Sequence, residues 1–294
     1  MIKLEYTFTN DALFKLVFVK FQDLLKRLVA IILGIRLADI REFVITNPNM
    51  TPEVMGDKFC RLDINMVVNE QRVDLEIQVR DEDDYPERSL YYWARNFSTA
   101  LKEGDEYKKL PRTVIISILA FTQFPCPEFY SEYQILEVNR HTPLTDRLWM
   151  VYFELPKLPE ISEADAGDEL KLWLTLFNAK TEEDLAIIES LGGSIMQQAI
   201  EAYRHTAATD EFKEIERLRS RARHNEAAAL RHAAEQAAEV ERAKWQDVVA
   251  DKDAALADKD AALADKDAAL ADKDAALADK DALIAELQAK LDKQ

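Results

Sequence analysis

Residues Arg61 to Arg80, RLDINMVVNEQRVDLEIQVR, read as two strands joined by a tight polar turn. Leu62, Ile64, Met66 and Val68 alternate with polar residues along the first strand, and Val73, Leu75, Ile77 and Val79 do so along the second. Period-two alternation of this kind marks half-buried strands. The other face carries Arg61, Asp63 and Asn65, then Asp74, Glu76, Gln78 and Arg80. A turn centred on Glu70 and Gln71 pairs Asn69 with Arg72, Asn65 with Glu76 and Asp63 with Gln78. That register sets Asp63 and Glu76 diagonally on one face, roughly 7–8 Å apart at the backbone. Two carboxylates so placed can lean onto one hard divalent cation, which prefers oxygen ligands. A hairpin with one wet face also needs polar residues at alternate positions, and the spacing leaves both readings open. Apolar neighbours around Glu76 suggest a central strand, where a charged side chain needs a reason to be.

Outward from the hairpin, Asn10 suits an N-cap and Asp11 the first helical turn. Leu13, Phe14, Val17, Phe18, Phe21, Leu24, Leu25, Leu28 and Val29 follow at helical spacing, and Gly34 is a natural stop. Its polar face carries Asp11, Lys15, Lys20, Lys26 and Arg27, the last three expected in solvent. Residues 39–50 read as a helix end or strand, then a loop around Asn47-Pro48-Asn49. After the hairpin an acidic loop leads to a helix over Glu87–Leu101, with Leu90, Trp93, Ala94, Phe97 and Leu101 inward. Arg88 at its start offers a planar fork that suits a phosphate, or an ion pair with the nearby acids. Lys108, Lys109 and Arg112 form a small basic cluster. Thr113–Phe121, TVIISILAF, has the length and β-branching of a strand buried on both faces. Leu148–Leu155 is another strand, and helices resume after Glu163, with a break near Gly192-Gly193.

The 294 residues carry a net charge of −17 with a pI near 4.8, which excludes nucleic-acid attraction by bulk charge. Any such binding needs a local basic patch or a metal. Cys60 and Cys126 lie far apart with no CxxC spacing, the pattern of structural thiols in a reducing cytoplasm. The start lacks the basic and apolar regions of a signal peptide, and no apolar run is long enough for a membrane span. Residues 206–249 read as an Ala/Glu/Arg-rich helical linker. The heptad ADKDAAL then recurs through residues 250–284, placing Leu256, Leu263, Leu270, Leu277 and Ile284 seven apart. With Leu at d, Asp fills every a position, a poor coiled-coil seam. A long exposed helix is expected over 250–294, with homo-oligomerisation through it as a loose association.

Taken in order, Asn10-Asp11-Ala12-Leu13-Phe14-Lys15, Leu62-Asp63-Ile64, Asp74-Leu75-Glu76-Ile77-Gln78, Arg88 with Tyr91 and Tyr92, and Gly104, Tyr107 and Leu110-Pro111 resemble one family. It is the recombination-promoting nuclease and transposase family, a branch of the PD-(D/E)XK nucleases, and the resemblance spans residues 8–205. It implies an α/β, restriction-endonuclease-like αβββαβ core within residues 1–205. It also implies cleavage of DNA phosphodiesters with Mg²⁺, for which Mn²⁺ can substitute. By position Asp63 and Glu76 would be the acidic ligands, joined by the Ile77 carbonyl. Gln78 stands where the superfamily has lysine, and it can orient a water but supplies no positive charge. Asp11 and Lys15 match the first-helix signature, as accessory groups or as a cap and an ion pair. Lys15, Arg88, Lys108, Lys109 and Arg112 would hold backbone phosphates. The rival reading is a nuclease fold without catalysis, serving as a binding or assembly module through its helical tail.

Overall fold

The computed structural model describes residues 2–47, 64–81 and 83–291. The chain divides into two compact units, Met1–Ala222 and Arg223–Gln294. The first unit holds α1 (Asp11–Lys20), α2 (Gln22–Leu33), β1 (Phe43–Ile45), β2 (Ile64–Val68), β3 (Gln71–Gln78) and α3 (Tyr85–Ser98). It continues with β4 (Thr113–Leu119), β5 (Tyr130–Tyr133), β6 (Leu148–Glu154), α4 (Glu169–Asn178) and α5 (Glu182–Ala208). The helix α6 (Asp210–Leu291) starts in this unit. Within the second unit, residues 223–285 are helical and exposed, the repeat leucines included.

The six strands run β1-β2-β3-β4-β6-β5 across one sheet. The first three strands are antiparallel neighbours, β3, β4 and β6 are parallel, and β5 returns antiparallel on β6. Every residue of β4 and β6 is buried, as the apolar runs require of parallel strands covered on both faces. On one face Val73, Leu75, Ile77, Val114, Ile116, Ile118, Val151 and Phe153 join the main core with α1, α2, α4 and α5. On the other, Tyr85 of α3 packs with Ile115, Leu119, Leu148, Met150 and Tyr152.

The helical layer is closed by aromatic rings. Phe177 lies 6.0 Å from Phe8, 5.6 Å from Phe14, 6.1 Å from Phe18 and 6.0 Å from Trp173 between ring centroids. Asn10 caps α1 as expected, its Oδ1 accepting from the Leu13 N–H at 3.0 Å. Gly34 ends α2 in the left-handed region at φ 66°. Gly193 breaks α5 at φ 56°, ψ −145°. Phe212 of α6 is fully buried, edge-on to Tyr6 at 4.9 Å.

Three expectations are corrected, and one strand is added. The apolar stripe from Leu13 to Val29 is two helices, parted at Phe21, which sits at φ −108°, ψ 64°. The helix α3 starts at Tyr85 rather than Glu87, and turns Tyr85 and Ser89 inward while Leu90 is 49 % exposed and Ala94 is exposed. Among the described residues β5, an exposed edge strand, has no counterpart in the sequence reading. The hairpin turn is Asn69-Glu70, both at positive φ, so Val68 pairs with Gln71 and Asn65 with Asp74. A two-residue shift keeps every side chain on its expected face; a one-residue slip would have exchanged them.

The turn residues explain the shift. Two-residue hairpins favour positive φ at both central positions. Asn69 tolerates this, and its side chain is held by the Arg41 and Glu42 N–H groups and the Asp39 carbonyl. Glu70, at φ 65°, has no such aptitude. Glu70→Gly is therefore expected to stabilise the protein by about 0.5–1 kcal/mol, measured by urea denaturation. A loss of stability would contradict this account of the turn.

Candidate active site

The candidate face is the side of the sheet covered by α3. Along β3 the alternation that buries Val73, Leu75 and Ile77 in the main core turns Asp74, Glu76 and Gln78 the other way. Asp74 and Glu76 are nonetheless buried, at 6 % and 7 % exposure. Residues two apart on a strand are roughly 6.5–7 Å apart, so the two carboxylates share one small region. Asn65 of β2 stands opposite Asp74, and Ser117 of β4 opposite Glu76.

The first residue of α3 closes this region. Tyr85 is completely buried, its hydroxyl 3.2 Å from Glu76 Oε2 and 2.9 Å from Ser117 Oγ. One phenolic proton serves one acceptor at a time. The phenol is placed to donate either to the Glu76 carboxyl or to the Ser117 hydroxyl. Burial, then the Glu76 charge, raises the Tyr85 pKa well above 10, so the hydroxyl keeps its proton through neutral and alkaline pH. The ring is held edge-on by Phe121 at 6.3 Å and Tyr152 at 6.4 Å, and the Arg88 guanidinium lies 4.9 Å from its centroid. Burial pushes the Tyr152 hydroxyl up to about 12, and it shares a 2.6 Å hydrogen bond with Ser89.

Beside this region the loop leading to β5 is fastened to the end of β6. Glu154 is fully buried and accepts from the Gln123 and Phe124 N–H groups at 2.6 and 3.1 Å and from Lys157 Nζ at 2.7 Å. These bonds satisfy its carboxylate within the fold.

Glu76 and Arg88 thus both contact Tyr85, one at its hydroxyl and the other over its ring. Gln78 continues the same strand face, and its amide donates to the Arg80 carbonyl at 3.2 Å. Ile77 belongs to the opposite core through its side chain. Lys15 is buried at 3 % exposure on α1, which touches β3. Asp11 forms an ion pair with Arg219 of α6 at 2.5 Å, so it fastens two helices. Lys108 and Lys109 are exposed in a short 3-10 helix, and Arg112 lies over Trp149 at 4.3 Å. Arg112 immediately precedes β4, whereas Glu76 is level with Ser117, roughly 16 Å further along the chain. The basic cluster is therefore at the other end of the sheet. Asp63 and Cys60 lie outside the described residues. Among those described, no group of three or more His, Cys, Asp or Glu side chains is placed to hold a metal, and no helix is long and apolar enough to cross a membrane.

Sequence reasoning passed over Tyr85, Ser117 and the burial of Asp74. A signal existed for Ser117: it is the lone hydroxyl inside an otherwise apolar strand interior, Val114 to Leu119. Tyr85 directly precedes Pro86, which favours the first turn of a helix and fixes that tyrosine at the helix start.

A mixed sheet preceded by helices, with buried acids on its middle strand and a crossover helix above them, is the architecture the αβββαβ resemblance implied. The family model for PD-(D/E)XK nuclease family transposases matches residues 8–233, and the chain belongs to that family. No curated protein and no solved structure matches the chain.

Proposed function

We propose that the protein is a metal-dependent DNA endonuclease that promotes recombination, its cation held by Asp63, Glu76 and the Ile77 carbonyl. The observation that carries this reading is the burial of Glu76, with Asp74 beside it, on the α3-covered face of a family nuclease core. Two acids buried on one strand face, with a phenol donating to one of them, form a polar lining of oxygen groups within an otherwise apolar layer. The donor set fits a hard divalent ion: carboxylates and hydroxyls, with no thiol or imidazole among them. Asp63 completes it by the family resemblance.

A bound Mg²⁺ or Mn²⁺ supplies Lewis-acid polarisation of the phosphate and a water of lowered pKa. The chain's own residues do the rest. Glu76 and Asp63 bind; Gln78 orients a water by hydrogen bonding; Arg88 places a phosphate by its planar fork. Lys15 and Asp11 are accessory, Lys15 from a buried position and Asp11 through the helix it fastens to Arg219. Lys108, Lys109 and Arg112 contact the DNA backbone away from the acids, contacts that carry no sequence information.

The test is nicking of supercoiled plasmid with Mg²⁺ by wild type and by Asp63→Ala. Loss in the variant supports the assignment, and equal activity removes Asp63 from the chemistry. A second expectation concerns the basic cluster. Lys108→Ala and Lys109→Ala should each weaken DNA binding evenly across sequences and lower the salt slope by about 1. An unchanged slope would take those lysines off the DNA.

The second reading, a binding or assembly module without catalysis, is favoured by Gln78, whose amide is engaged by Arg80 and which brings no charge. It predicts a chain that binds DNA or itself without taking up Mn²⁺.

A further inference from the structure

We infer that Tyr85 is the positioning residue for Glu76, and that its hydroxyl, backed by Ser117, holds that carboxylate in the conformation that receives the cation. The inference rests on the nuclease reading above. A glutamate has three rotatable bonds, so a strand fixes its Cα but not its oxygens. Here an oxygen is fixed from outside the strand. The Tyr85 hydroxyl meets Oε2 at 3.2 Å and is itself tied to Ser117 at 2.9 Å. The ring cannot drift, because Phe121 and Tyr152 hold its edges and Arg88 lies over its face. Its anchor is also built into the chain: Tyr85 opens α3, so the helix start and the acid's geometry are set together. The hydroxyl thereby fixes which way the carboxylate faces. This is the arrangement in which outer hydrogen bonds orient inner ligands, and losing such a partner typically weakens metal affinity 10–100-fold.

Tyr85→Phe isolates the hydroxyl, since the ring contacts survive. In the full-length protein, calorimetric titration with Mn²⁺ is expected to give about tenfold weaker binding for Tyr85→Phe. The metal-free melting temperature should fall by no more than about 4 °C, as for the loss of one hydrogen bond. Plasmid nicking should fall at limiting Mn²⁺ and recover at saturating Mn²⁺. A purely structural tyrosine would move the melting temperature and leave the affinity alone. Ser117→Ala, tested beside it, should weaken Mn²⁺ binding in the same direction by about two- to fivefold, a smaller effect because the phenol remains. Unchanged Mn²⁺ affinity in Tyr85→Phe, or in Ser117→Ala should the first variant not fold, overturns the positioning role while leaving the nuclease reading intact. A wild-type protein that takes up no Mn²⁺ overturns both.

Discussion

Glu76→Gln is expected to lower Mg²⁺-dependent nicking of supercoiled plasmid by at least about a hundredfold, the scale on which removing one charge-stabilising group acts. The substitution keeps the volume of a side chain that is 7 % exposed, and its amide oxygen still accepts from Tyr85. The fold should therefore survive, and the loss is assigned to the missing charge. Activity within a few-fold of wild type would show that the acid on β3 is not in the chemistry.

The largest expected effect on stability lies elsewhere. Phe177→Ala should destabilise the protein by about 3–5 kcal/mol, as aromatic truncation in a core does. Phe177 is fully buried and is the one ring in contact with Phe8, Phe14, Phe18 and Trp173 among the described aromatic pairs. It joins the chain start, α1 and α4 into a single layer, so the cavity left behind has walls from three elements and collapses poorly. Guanidinium denaturation followed by tryptophan fluorescence measures the change. A cost below about 1 kcal/mol would mean that the helical layer tolerates a void that close packing forbids. Because this layer covers the opposite side of the sheet from Glu76, the two variants separate stability from chemistry.

The same division marks what the sequence made legible. Period and length identified β3, β4 and β6, because a strand packed on both faces must be apolar throughout and a half-polar one must alternate. Cap chemistry placed the start of α1 at Asn10 and the end of α2 at Gly34, since few residues suit those backbone conformations. Phe21 carried no such mark. It is apolar, it continues the stripe, and the break it makes comes from packing two short helices into one core. The turn at Asn69-Glu70 was misplaced because Glu70 adopts positive φ against its propensity, imposed by the strands on either side. The inward face of α3 was read correctly at Trp93, which packs against the Tyr85 cluster, and wrongly at Leu90 for a related reason. Counting apolar residues favoured Leu90, whereas the helix turns its hydroxyl-bearing residues, Tyr85 and Ser89, toward the buried acid and Tyr152.

At the site, the alternation gave the correct faces for Asp74, Glu76 and Gln78 despite the wrong register, since a shift of two residues preserves facing. The depth to which Asp74 and Glu76 are buried was not readable, because it depends on α3, a separate element brought back over the sheet. Nor was the distance of Lys108, Lys109 and Arg112 from Glu76. Sequence proximity to β4 says nothing about which end of a parallel strand carries the acids.

A crystal soaked in Mn²⁺ tests the central claim most directly. Anomalous density between the carboxylates of Asp63 and Glu76, with Tyr85 still bonded to the glutamate, is the predicted result. A soaked crystal that binds Mn²⁺ elsewhere, or shows the two acids facing away from each other with no ion between them, would contradict it.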